Sequence, residues 1–152
     1  AASTATQQME RYTITGAENL DELQKITGLK YLTIEHAEAI TDFGALARLP
    51  YLETLSIQDA PQLTDLTFVK SLNQLQSLTL KNTGVQDISP LSGMKSLVAV
   101  TLEDNQITDF TALESVPYLK NAEIRADEVA ALPALSSLQF LESFTVNGET
   151  KK

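Results

Sequence analysis

The chain has 152 residues, 43% apolar and 20% charged, which is one domain's worth of sequence with enough apolar side chains to bury a core. Twenty acidic against eleven basic residues leave a net charge of −9, which repels phosphate backbones and anionic lipid and so excludes nucleic acid as an expected partner. Zero Cys and a single histidine, His36, exclude disulfides, thiolate nucleophiles and multi-histidine metal cages, and no apolar run is long enough for membrane insertion.

Residues 1–8, Ala-Ala-Ser-Thr-Ala-Thr-Gln-Gln, read as a linker or disordered N-terminus ahead of a domain spanning 9–152. Without an initiator Met, the chain is expected to be a processed or trimmed product; small polar residues of this kind follow signal-peptide cuts and also fill linkers. A triplet of apolar positions, L-x-x-L-x-L, then recurs down the chain. A faint copy, Met9, Tyr12 and Ile14, comes first, followed by Leu29, Leu32 and Ile34, then Leu52, Leu55 and Ile57. Leu75, Leu78 and Leu80 follow, then Leu97, Val100 and Leu102, Leu119, Ala122 and Ile124, and finally Leu141, Phe144 and Val146. The spacing is 22 residues from Leu78 onward and 23 in the two preceding repeats, and the first repeat is shorter by about three residues.

Four more apolar columns follow each triplet: Ile40, Leu63, Val85, Ile107, Val129; Phe43, Leu66, Ile88, Phe110, Leu132; Leu46, Val69, Leu91, Leu113, Leu135; and Leu49, Leu72, Met94, Val116, Leu138. One such unit cannot bury its own apolar face, whereas stacked units join their faces into a continuous core, so the chain is a solenoid of about six repeats. Within the triplet the spacing drops to two, the period of a strand; the later columns are three apart, the period of 3₁₀ turns. Each repeat is therefore a short strand followed by a short helical return.

Leu72 through Leu91 reads L-N-Q-L-Q-S-L-T-L-K-N-T-G-V-Q-D-I-S-P-L. This resembles the short bacterial leucine-rich repeats of internalin-like surface proteins, with Thr83 in place of the family's Asn and Asn105 restoring it one repeat later. The resemblance covers about residues 9–148. It implies an α/β, right-handed leucine-rich repeat solenoid with a parallel concave β-sheet of about seven short strands and 3₁₀ or loop returns on the convex side. The family's Asn bonds the backbone of the neighbouring turn, and in the 23-residue repeats its place falls to Ala37 or Glu38 and to Ala60 or Pro61. The first half of the stack is accordingly expected to have less regular loops.

Asp42, Asp65, Asp87 and Asp109 form a column just before the helical return, where a carboxylate accepts backbone N–H bonds as an N-cap does. Each turn contributes only one of them, too few oxygens for a calcium site.

The outward strand positions line the concave face that the family uses to hold partners. Between the strand aliphatics the column reads Thr13, Thr33, Ser56, Thr79, Thr101, Glu123, Thr145. The column before it runs Arg11, Tyr31, Thr54, Ser77, Ala99, Asn121, Ser143, and the column after it Thr15, Glu35, Gln58, Lys81, Glu103, Arg125, Asn147. Gly16, His36, Asp59, Asn82, Asp104, Ala126 and Gly148 make a fourth. A solvated sheet face and a binding surface are both compatible with this pattern. In the binding reading the contact residues are Tyr31, Thr33, Glu35, His36, Ser56, Gln58, Asp59, Thr79, Lys81, Thr101, Glu103, Glu123 and Arg125. Aromatic anchors are sparse there; Tyr51, Tyr118 and Phe140 share a column on the return side, expected to pack against the solenoid edge or to offer a lateral contact.

No P-loop, dinucleotide fingerprint, nucleophile elbow or H-E-x-x-H motif occurs, so no catalytic, cofactor-binding or metal-ligating residue is assigned and the chain is expected not to be an enzyme. The leading expectation is a non-catalytic module, secreted or on the cell surface, that presents a polar, acidic concave face to a protein partner. The alternative is a spacer solenoid in a larger cell-envelope or intracellular regulatory protein, cytoplasmic in the latter case. After Val146 only six polar residues remain, too few by this reading to cap the stack. A weak homodimer through the C-terminal edge, a longer native chain, or an irregular fold-over of residues 138–146 would each relieve the exposure.

Overall fold

The computed structural model describes residues 10–151. The linker assigned to residues 1–8, and Met9 of the faint first triplet, lie outside them.

Seven strands, β1 (Arg11–Thr15), β2 (Tyr31–Glu35), β3 (Thr54–Ala60), β4 (Ser77–Thr83), β5 (Ala99–Glu103), β6 (Asn121–Arg125) and β7 (Ser143–Val146), lie side by side in chain order, each parallel to the next. The register follows the columns, with Leu32, Leu55, Leu78, Val100, Ala122 and Phe144 paired in succession. Alternation does the sorting: Leu32 and Ile34 of β2 are buried while Tyr31, Thr33 and Glu35 face outward, and the pattern repeats strand by strand.

The returns are six 3₁₀ segments: η1 (Asp21–Lys25), η2 (Gly44–Arg48), η3 (Thr67–Ser71), η4 (Ser89–Leu91), η5 (Thr111–Ser115) and η6 (Leu135–Ser137). Side chains three apart eclipse in a 3₁₀ turn, so one apolar residue in three suffices to keep the return against the core. The hydrogen bonds use those same residues: Leu46 N–H donates to Phe43 O, Leu49 to Leu46 O and Leu52 to Leu49 O. Leu20, Leu23 and Ile26 supply these columns in the first repeat and are buried, so its missing residues are lost from the connection between β1 and η1. The columns weaken toward the last return. Val129 and Leu135 are only partly buried and Leu132 is exposed, because nothing stacks on the final turn's far side; Met94, mid-stack, is also only partly buried.

The aspartate column is engaged as expected, one residue earlier than an N-cap. Asp42, Asp65, Asp87 and Asp109 each accept the backbone N–H two residues on, at 2.8–2.9 Å. Asn19 does the same for Asp21 at 3.1 Å.

In the Asn column, Ala37 and Ala60 take the inward position at 0% exposure, leaving Glu38 and Pro61 on the surface. The extra residue of each 23-residue repeat follows directly and is absorbed in a turn closed by Ile40 N–H to Ala37 O and Leu63 N–H to Ala60 O. Gly84 is the complement of this bulge, since a Cβ there would lie 2.4 Å from Pro61 O.

The C-terminal end differs from the expectation of an uncapped stack. Asn147 (φ 50°) and Gly148 (φ 85°) form a tight hairpin turn, and β8 (Glu149–Thr150) runs back antiparallel along β7. An Asn-Gly pair is suited to such a turn because both positions need positive φ. Lys151 N–H reaches Phe144 O at 2.6 Å, and the Phe144 side chain is fully buried. Residues 147–151 thus cover the backbone edge. An open depression of about 770 Å³, lined in part by Leu132, Leu135, Leu138 and Leu141, remains beneath the hairpin.

Candidate functional site

Of the thirteen residues read as contact positions, eleven fall on the outward side of the sheet, and His36 and Asp59 stand where their strands end. Thr33, Ser56, Thr79, Thr101 and Glu123 are successive register partners, and Tyr31 begins the column before them. Gln58, Lys81, Glu103 and Arg125 pair in succession in the column after, which Glu35 opens at the end of β2. Adjacent parallel strands are spaced about 4.8 Å apart, so side chains within a column touch.

Two arrangements on this face were not legible as such in the columns. Glu103, its side chain only 18% exposed, receives Lys81 Nζ at 3.5 Å and Arg125 Nε at 3.6 Å on its two carboxylate oxygens. Both cations are therefore already engaged, and the centre of the face carries one net positive charge across three strands. At the N-terminal edge the Arg11 guanidinium sits 4.5 Å from the centroid of the Tyr31 ring, a cation–π contact that orients the face's single aromatic.

The fourth column has a backbone cause. His36, Asp59, Asn82 and Asp104 have φ of 51° to 56°, and Gly16 φ 67°: a left-handed residue directly follows β1, β2 and β5 and stands one before the end of β3 and β4. Gly, Asn and Asp tolerate that conformation best and histidine is enriched there too, which accounts for the composition of the column. Ala126 departs from it, and Asn147 binds its backbone instead, with Ala126 N–H donating to Oδ1 at 3.0 Å and Nδ2 donating to Ala126 O at 3.1 Å. The column forces neighbours together: His36 Nδ1 lies 3.3 Å from Asp59 Oδ2, and Asn82 Nδ2 donates to Asp59 Oδ1 at 3.0 Å. Glu38 joins them, brought in by the extra residue of its repeat. The columns alone did not point to Glu38, although the 23-residue spacing marks where it emerges.

The return-side aromatics are more exposed than edge packing implies. Tyr51 is 51% exposed, Tyr118 47% and Phe140 49%. Tyr118 and Phe140, one turn apart, stack on each other with centroids 5.5 Å apart and 27° between planes.

A family model for leucine rich repeats, two copies, matches residues 73–115. No curated protein sequence matches the chain. Among solved structures, the chain is similar to an internalin, inlF, from Listeria monocytogenes, at 25% identity and a TM-score of 0.61, over 95% of this chain and 49% of that one. It is also similar to internalin C2 from the same organism, at 20% identity and a TM-score of 0.58, over 95% of this chain and 83% of that one. The chain thus spans about half the length of inlF. The resemblance read from the repeats holds, and the chain is a leucine-rich repeat solenoid of internalin-like form.

Proposed function

We propose that this solenoid is a non-catalytic protein-binding module whose contact surface is the outward face of β1–β6. The observation that carries it is the register itself: hydroxyl residues from Thr13 to Thr101 pair strand after strand into a polar ladder, bordered on one side by the charged column of Glu35, Lys81, Glu103 and Arg125. A parallel sheet normally has both faces covered, and here one face is left to solvent with half-buried polar side chains in place of an apolar layer. Such a surface suits a hydrophilic protein partner that matches its alternating charge, with Tyr31, held by Arg11, as the aromatic anchor.

Acids outnumber bases on this face, in keeping with the chain's charge of −9, and the partner surface it fits is correspondingly basic around Glu35, Asp59 and Glu123. The resemblance to the repeats of internalin-like surface proteins supports export to the cell surface as the setting, and no helix among the described residues is long and apolar enough to cross a membrane. The hairpin over β7 removes the main reason for a homodimer through the C-terminal edge, since the remaining edge is two residues long and charged at Glu149 and Lys151.

Site-specific photocrosslinking tests the reading. A photoreactive residue at Thr79 or Thr101 in cells of the source should give one discrete protein adduct, and the same residue at Thr67 on the return side should not. Adducts of equal pattern from both sides, or none from either, refute it.

A further inference from the structure

We propose that His36, Glu38 and Asp59 form a binding site for a divalent transition-metal ion, with zinc(II) as the best-fitting ion. The three side chains offer one imidazole nitrogen and two carboxylate oxygens, all lying within 4.8 Å of one another. The separation of His36 Nδ1 from Asp59 Oδ2 is 3.3 Å. That is long for a charge-assisted hydrogen bond, which runs about 2.7–2.9 Å. It equals the edge of a tetrahedron built on metal bonds of about 2.0–2.1 Å, which is roughly 3.3 Å.

The chain holds these groups in place before any ion arrives. Ala37, fully buried between His36 and Glu38, pins the backbone so that both flanking side chains stand at the surface. Ala60 does the same beside Asp59. Glu38 is further fixed through its carbonyl, which accepts Gln62 Nε2 from the next turn at 2.7 Å. Asn82 Nδ2 occupies Asp59 Oδ1 and leaves Oδ2 for the ion, the kind of outer contact that orients a metal ligand.

The chemistry selects the ion. A nitrogen donor with two carboxylates suits zinc and its transition-metal neighbours, whereas magnesium and calcium take oxygen ligands. Two carboxylates against one dication leave a site of balanced charge, with the remaining coordination position left to water. A bound ion would tie the second and third turns together where Ala37 and Ala60 replace the side-chain bridge that Asn105 makes later in the stack.

His36 and Asp59 also belong to the proposed contact face, so the test uses the metal alone, with no protein partner present, and its outcome does not turn on the protein-binding reading. Zinc chloride titrated into the intact chain at pH 7.5, followed by calorimetry and by the His36 imidazole proton resonances, should show one ion per chain, a raised melting temperature and no competition from excess magnesium. His36→Asn and Asp59→Asn, which keep side chains tolerant of positive φ, and Glu38→Gln should each weaken binding at least tenfold. Asp104→Asn, in the same column two turns away from Asp59, should not change it. No saturable heat with the unaltered chain, or binding that survives His36→Asn unchanged, overturns the proposal.

Discussion

Asn105 holds Thr83 of the preceding turn through one oxygen: Oδ1 accepts the Thr83 hydroxyl at 2.5 Å and its backbone N–H at 3.2 Å, while Nδ2 donates to Leu80 O at 3.0 Å. Thr83 is the buried polar residue of the core, 3% exposed, and passes the contact on by accepting Val85 N–H at 3.3 Å. Removing Asn105 strands two donors, the Thr83 hydroxyl and N–H, and one acceptor, the Leu80 carbonyl. Asn105→Ala should therefore cost about 1–3 kcal/mol in urea unfolding. The Thr83 amide should lose protection from hydrogen exchange in the same variant. A loss below 0.5 kcal/mol, on the scale of ordinary surface changes of about that size, would show water replacing the side chain.

Leu80 is fully buried at the centre of the stack and Thr79 beside it faces outward. Leu80→Ala should cost roughly 2–5 kcal/mol, because turns on both sides hold the cavity open. Thr79→Ala should cost less than about 1 kcal/mol, the span of strand preference at a half-exposed site. Comparable losses at the two positions would mean that the inward register is wrong.

Glu103 stands between Lys81 and Arg125, so reversing both cations to Glu places three carboxylates on adjacent strands. The geometry adds a stability cost of about 1 kcal/mol, since like charges directly opposite on a sheet repel at roughly 0.2–1 kcal/mol per pair. The cost should shrink in 0.5 M salt, read by urea unfolding at two ionic strengths. Lys81→Ala with Arg125→Ala leaves only Glu103 and is the better variant for partner binding.

Thr67 donates its backbone N–H to Asp65 and lowers the carboxyl pKa; at Asp109 the Thr111 hydroxyl is the larger cause and the Thr111 backbone N–H the second. In both cases the ionised form is the one held in the folded chain. Their contribution to stability is present above the unfolded pKa, about 3.9, and disappears as pH falls through the lower folded value. Carbon-detected NMR titration should show both carboxyls ionising below the ordinary range. Thr111→Val, which removes the hydroxyl donor, should move Asp109 upward and leave Asp65 where it is.

The hairpin at Asn147 and Gly148 covers the edge of β7, and Gly148 has φ 85°. Deleting residues 148–152 uncovers the Phe144 carbonyl and the outer edge of the last strand. In analytical ultracentrifugation the intact chain should sediment as a monomer and the shortened chain should self-associate, as unpaired edges do. Dimerisation of the intact chain at the same concentration contradicts the capping role given to β8.

Strand and return positions were readable from the chain because burial in a solenoid is periodic. The apolar columns from Leu29 to Val116 recur at an offset of 22 or 23 residues, and a two-residue or three-residue spacing distinguishes strand from 3₁₀ turn without any knowledge of neighbours. Where a position is occupied by chance at one end of the stack, as at Leu132, periodicity alone overstates burial, since burial there also depends on a next turn.

By itself the sequence determined the fold type, the number of turns and which residues face outward, because each follows from local period and the need to bury an apolar stripe. Only the tertiary structure decided which outward residues meet. Glu103 between Lys81 and Arg125, and Glu38 beside His36 and Asp59, depend on contacts across turns of about twenty residues, where one extra residue shifts the offset and the left-handed backbone at His36 and Asp59 aims their side chains. The hairpin at Gly148 likewise needed β7 as a template, since two polar residues acquire strand geometry only when an existing edge supplies the hydrogen bonds.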